Sequence, residues 1–178
     1  MIENELKFVL KPEIEKYLGD LPKWKILQAY LPSPKDIAYR IRKSICKDRG
    51  IFNRLTIKYR NEDGTNTEFE FPIHSENDFV KLLSKATQSL TKNRFLLKTE
   101  DHNWEIDVFH DNTSYFWMAE VELPVGQAKP ASIPSLIGDH LVYEVLLTDS
   151  RFSSRKISNV AYARKLFTEV TENDKEKV

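Results

Sequence analysis

The stretch IENELKFVL, residues 2–10, decides how the rest of the chain is read. Glu3, Glu5 and Lys7 stand at alternate positions, while Ile2, Leu6 and Phe8 hold the other parity, interrupted only by Asn4. A period of two belongs to a β-strand, whose successive side chains point to opposite faces. One face of this strand therefore carries three charges and the other is apolar. The same arrangement recurs along the chain. Arg40 and Arg42 flank Ile41, Glu68 and Glu70 flank Phe69, and Glu120 and Glu122 flank Val121. Lys92 and Arg94 repeat the spacing, Lys58 sits beside Ile57, and Glu105 and Asp107 alternate with Trp104, Ile106 and Val108.

A single strand of this kind describes any sheet with a solvated face. Five or more describe a sheet that can close on itself with its charged face inward, helices covering the apolar exterior and no free edges. A dry, unpaired charged lumen would be costly. With Glu105 and Asp107 set aside, the candidate cations are Lys7, Arg40, Arg42, Lys58, Lys92 and Arg94. The candidate anions are Glu3, Glu5, Glu68, Glu70, Glu120 and Glu122, so the two sets balance. A balanced lumen suits a guest that is itself divided into anion and cation. A polyphosphate carrying roughly four or five negative charges, with about two divalent ions, has that character. Basic groups would hold phosphate oxygens, and carboxylates would hold hard metal ions.

Around this pattern the chain reads as short strands with few helices. Further strand-like segments are 26–31, 37–45, 55–60, 67–73, 94–99, 104–110, 115–123 and 141–148. Asp63-Gly64 marks a hairpin turn. A helix is expected from Pro12, with Ile14, Tyr17 and Leu18 at helical spacing and Gly19 ending it. Ser75 with Asp78 resembles a capping box, opening a helix whose core face is Phe79, Leu82, Leu83, Ala86 and Leu90. A short helix follows the Pro-containing connection 124–134, and residues 157–169 read as helical. The expectation is one domain over 1–170, with 171–178 a frayed tail.

The chain has 178 residues, 40% hydrophobic and 30% charged, a globular composition. Lys plus Arg and Asp plus Glu are both 27, which argues against a nucleic-acid or membrane coat driven by net charge. The lone Cys46 excludes an internal disulfide framework and fits a reducing compartment. The N-terminus lacks a signal-peptide apolar core, and no apolar run reaches the roughly 18 residues of a spanning helix, so a cytoplasmic protein is expected. His74, His102, His110 and His140 show no metal-binding spacing. With five Gly and no GxxxxGK[ST], phosphate recognition falls to side chains rather than to a backbone cradle.

The ordered motifs resemble those of the CYTH superfamily, also called triphosphate tunnel metalloenzymes. Glu3-Asn4-Glu5-Leu6-Lys7 matches its opening ExExK, Ile26, Gln28 and Tyr30 look like its second strand, and Arg40-Ile41-Arg42 resembles its RxR. Leu55 to Lys58 resembles LTxK, Glu68-Phe69-Glu70 its ExE, Lys92-Asn93-Arg94 its KxR, and Trp104 to Phe109 its WxxDxF. Ala119 to Glu122 resembles the late ExE, and Thr148 to Phe152 the terminal TxDxR[YF]. The resemblance spans residues 2–165.

It implies an α+β fold: an eight-stranded antiparallel closed β-barrel, the triphosphate tunnel, with helices packed outside. It also implies a triphosphatase dependent on Mg²⁺ or Mn²⁺ (two ions) and acting on a small-molecule triphosphate, with no nucleic-acid or membrane partner, as monomer or homodimer. On that reading Glu3, Glu5, Glu68, Glu70, Asp107, Glu120 and Glu122 hold metal, and Glu3, Glu5 and Glu70 are catalytic. Lys7, Arg40, Arg42, Lys58, Lys92, Arg94 and Arg151 bind substrate. The expected reaction takes tripolyphosphate to pyrophosphate and phosphate. Nucleoside or thiamine triphosphate hydrolysis, adenylyl cyclisation and non-catalytic polyphosphate binding are the alternatives. Three departures stand out: Ala29 in place of a Gly, which is conformational, and the absence of Gly-Leu before the late ExE and Ser153-Ser154, which bear on substrate preference.

Overall fold

The computed structural model describes residues 4–61, 66–147 and 149–175. Nine strands follow in chain order: β1 Glu5–Leu10, β2 Lys23–Leu31, β3 Ile37–Cys46, β4 Gly50–Arg60, β5 Asn66–Pro72, β6 Gln88–Lys98, β7 Asn103–His110, β8 Ser114–Glu122 and β9 Leu141–Val145. Four helices accompany them: α1 Glu76–Leu83, α2 Ser135–Gly138, α3 Ser154–Ile157 and α4 Val160–Lys175. The segment from Pro12 is a 3-10 helix over Pro12–Tyr17, burying Ile14. The strands form one sheet in the order β5-β4-β3-β2-β6-β7-β8-β1-β9.

This corrects the expected barrel. The strand count is nine rather than eight, because β9 pairs along the edge of β1 that β8 leaves free. The order is open, running from β5 to β9, instead of a closed ring. Nine is also the number of strand-like segments in the sequence. Glu3 and the Asp63-Gly64 turn lie outside the described residues. None of the described helices is long and apolar enough to cross a membrane.

The chain divides within β6 into two compact units. In the first, Trp24–Lys92, strands β2 to β5 are antiparallel neighbours. Alternation puts Ala29, Ile41 and Leu55 on one face, where Phe79, Leu82 and Leu83 of α1 cover them. The Ser75 hydroxyl accepts a hydrogen bond from the Asp78 N–H at 3.2 Å, as a cap should. The helix stops at Leu83, short of the expected reach to Leu90. Thr87 N–H is taken by the Tyr30 carbonyl at 2.9 Å, and Leu90 is buried as part of β6. Strand pairing overrode a helical spacing that the residues also satisfied. Gly50, at φ +89°, makes the tight turn into β4 that a side chain would strain.

The second unit comprises Asn4–Lys23 and the chain from Asn93 onward. Here β7, β8 and β1 are antiparallel, with Val108 opposite Trp117, Ile106 opposite Ala119 and Phe8 opposite Ala119. Their outer face, with Ile14, Leu18, Leu123 and Ile137, forms the larger core. On the other face the charged residues give way to buried Phe109, Phe116 and Met118, against which Phe152 and Phe167 pack. The C-terminal helix α4 continues to Lys175.

Candidate functional site

In the first unit the antiparallel register turns the sequence pattern into rows on one face. Tyr30, Arg40, Thr56 and Glu70 are mutually opposite across four strands. Gln28, Arg42 and Arg54 form the next row, and Lys58 faces Glu68 on the other side. Arg54 donates to Glu70 at 2.8 Å and Arg42 at 3.2 Å, while Lys58 meets Glu68 at 3.3 Å. Arg40 donates to the Thr56 hydroxyl at 3.2 Å, with Glu68 3.7 Å and Glu70 3.9 Å away. Burial alone would raise the Glu70 carboxyl, but Arg42 and Arg54, with Arg40 behind them, hold it below the ordinary carboxylate range. The Arg40 Nε is buried with no hydrogen-bond partner among the described residues. A buried donor left unmatched costs stability, and an anionic oxygen would satisfy it. Gln28 donates to the Tyr30 hydroxyl at 2.6 Å within this face, and Lys92 on β6 is buried.

In the second unit cations and carboxylates alternate across β1, β8, β7 and β6. Lys7 bridges Glu5 and Glu120, the latter at 2.7 Å. Glu120 also accepts from Arg94 at 2.9 Å. Arg94 in turn grips Asp107 through two bonds, 2.7 and 2.6 Å, and meets Glu105. Asp107 is fully buried, so this bidentate pair is shielded from solvent. Burial opposes the charge on Lys7, but the Glu120 and Glu5 carboxylates outweigh it and hold its pKa above the usual lysine range. Arg94 is likewise held in its charged form against burial by Asp107, Glu105 and Glu120. Glu122 is exposed and stands opposite Glu5.

The structure therefore brings Arg40, Arg42, Lys58, Glu68 and Glu70 together in one unit, and Glu5, Lys7, Arg94, Asp107 and Glu120 in the other. Arg151 is placed elsewhere. It grips Asp149, meets Glu169 of α4 at 2.7 Å and lies over the Phe152 ring. Sequence reasoning missed Arg54, gave Thr56 no role and set Glu105 aside. Arg54 shares parity with Thr56 and Lys58, a signal hidden by starting that strand at Leu55 when it begins at Gly50. Among the described residues no group of three or more His, Cys, Asp or Glu is assembled as a metal site. The donor chemistry does fit a hard divalent ion, because Glu5, Glu120 and Glu122 offer only carboxylate oxygens from adjacent strands. Two of the three are neutralised by Lys7, which would have to yield them.

The comparisons meet this geometry. An inorganic triphosphatase of Acetivibrio thermocellus is 29% identical over 129 residues, covering 68% of this chain and 74% of that protein. A solved inorganic triphosphatase structure is 26% identical, covers 89% of this chain and 95% of that chain, and superposes with a TM-score of 0.59. The chain has a CYTH-like triphosphate-tunnel fold. A solved structure of a Pyrococcus horikoshii protein, 16% identical with a TM-score of 0.53 over 71% of this chain and 80% of its own, is similar in fold. No family model matches the chain.

Proposed function

We propose that this CYTH-like chain hydrolyses a phosphoanhydride bond of a triphosphate with the help of divalent ions, converting tripolyphosphate to pyrophosphate and phosphate. The observation that carries the reading is the pair of cation–carboxylate networks on sheet faces whose backs are apolar core, with the Arg40 Nε left unmatched. On this reading a single domain spans residues 1–170. The similarity to inorganic triphosphatases supports the reaction class.

Phosphoryl transfer asks a protein mainly for positioning and charge neutralisation. Arg40, Arg42, Lys58, Lys92 and Arg94 would receive phosphate oxygens, with Lys7 joining once released from Glu5 and Glu120. Arg151 would join only by exchanging Asp149 and Glu169 for phosphate. Glu3, Glu5, Glu120 and Glu122 would hold Mg²⁺ or Mn²⁺, with Asp107 holding Arg94 in place or adding a ligand. Bound divalent ions supply charge neutralisation at phosphate oxygens and a lowered water pKa. Glu70, with Glu68, would help hold a second ion and orient the attacking water, a role suited to a carboxylate kept ionised by its arginines. Replacing Glu5→Gln and, separately, Glu122→Gln should abolish metal-dependent release of phosphate from tripolyphosphate while the circular dichroism spectrum is retained. Undiminished turnover in both variants refutes the assignment. Tight metal-dependent binding without product by the unaltered protein would replace hydrolysis by polyphosphate binding.

A further inference from the structure

In the second unit Glu5 on β1 stands directly opposite Glu122 on β8, and Lys7 stands opposite Glu120 in the neighbouring row of the same face. Like charges set opposite one another across two strands repel. Lys7 relieves part of that repulsion. Its Nζ donates to Glu5 Oε1 and, at 2.7 Å, to Glu120 Oε1. Arg94 holds the other Glu120 oxygen, Oε2, at 2.9 Å. The two cations are not held alike. Arg94 is fixed by two bonds to the fully buried Asp107, a pairing suited to its planar, preorganised fork. Lys7 is a compact charge on a flexible four-carbon stem, and its side chain is 24% exposed. Lys7 brings one positive charge to carboxylates on two adjacent strands. A divalent ion brings twice that charge and prefers oxygen ligands of this kind.

We propose that Lys7 is an exchangeable counter-ion: a divalent cation takes over the Glu5 and Glu120 oxygens that the ammonium holds, and the released ammonium is then offered to a phosphate oxygen. Arg94 stays on Glu120 Oε2 throughout and keeps that carboxylate aimed. The inference rests on the triphosphate reading above and deepens it by linking metal loading to phosphate affinity through one side chain. By linkage, each ligand then improves the site for the other. Lys7 acquires two opposed effects, as a competitor of the metal alone and as a ligand of the phosphate chain. A lysine that only bound phosphate would show the second effect without the first.

The test titrates the protein with Mn²⁺ alone, without phosphate, following the free ion by electron paramagnetic resonance. The proteins are the unaltered chain, Lys7→Met, Lys7→Gln and, as a control, Lys11→Met, which removes the same charge at an exposed position. Both Lys7 variants should bind Mn²⁺ about tenfold more tightly, because no ammonium–carboxylate bonds have to be broken. Lys11→Met should stay within about twofold of the parent at moderate salt, where exposed charges are screened. At saturating Mg²⁺ the Lys7 variants should bind the imido analogue of tripolyphosphate about tenfold more weakly. Unchanged or weaker Mn²⁺ binding in both Lys7 variants, or equal tightening in Lys11→Met, overturns the exchange. A second reading needs no variant and decides the matter if the Lys7 variants fail to fold. Acetylation of Lys7 in the unaltered protein, mapped by mass spectrometry relative to Lys11, should run several-fold faster in Mg²⁺ than without it, and a metal-independent rate overturns the exchange. Tripolyphosphate hydrolysis assayed in parallel separates the two readings. Hydrolysis with no tightening overturns the exchange alone, tightening without hydrolysis by the unaltered protein overturns the triphosphate reading, and an unaltered protein that binds no Mn²⁺ overturns both.

Discussion

Arg94 is the cation on which the second unit's charged face depends, and replacing it with Met makes the sharpest test of that network. Its guanidinium holds Asp107 through two bonds and Glu120 through one, and those carboxylates are 0% and 6% exposed. Glu120 keeps Lys7 in the variant, but Asp107 loses both of the bonds that Arg94 gives it, in a site without solvent. Glu105, more open at 38%, adds little. Breaking a buried pair by removing one partner typically costs about 3–5 kcal/mol, because an uncompensated charge is left behind. In a chain of this size each kcal/mol lowers Tm by roughly 2–4 °C, so Arg94→Met should melt about 6–20 °C below the parent. The companion variant Arg94→Met/Asp107→Asn removes the carboxylate charge that Arg94 balanced and should recover about 1–3 kcal/mol of the loss. Calorimetric or circular-dichroism melts at neutral pH measure both. A single-variant loss below about 1 kcal/mol, or a double variant no more stable than the single, refutes the claim that Arg94 compensates a buried carboxylate.

Other consequences follow from the first unit. Glu70 is held below the ordinary carboxylate range by Arg42, Arg54 and Arg40, against burial. A depressed carboxyl contributes stability that is present above its unfolded pKa and lost as pH falls through its lower folded value. Arg54→Met removes one of the three cations, so the Glu70 carboxyl titration, followed by ¹³C NMR, should shift to higher pH, and acid unfolding should begin earlier. An unmoved midpoint refutes the role given to Arg54. At the start of α1, Ser75→Ala removes the hydroxyl that accepts from Asp78 N–H, which costs about 1 kcal/mol and lowers Tm by roughly 2–4 °C. Tripolyphosphate hydrolysis by Ser75→Ala should match the parent, and a large loss of activity would place α1 in the site rather than behind it.

The sequence by itself determined the strands and the face each residue takes. Alternation is a local property of extended backbone, so Glu5 with Lys7, Arg40 with Arg42 and Glu68 with Glu70 could be assigned to common faces without knowing any partner strand. The capping of α1 by Ser75 and the burial of Ile14 were legible for the same reason. Register was not local. Whether Arg54 reaches Glu70, whether Lys7 sits between Glu5 and Glu120, and whether Arg94 or a metal ion claims Asp107 depend on which residues hydrogen-bonding sets opposite one another. Nor could periodicity tell that Leu90 extends a strand rather than a helix, that a ninth strand pairs with β1, or that Trp24 and Phe52 meet across β3. Those are pairings between distant segments, fixed by the free energy of the assembled sheet and not by any stretch of chain alone.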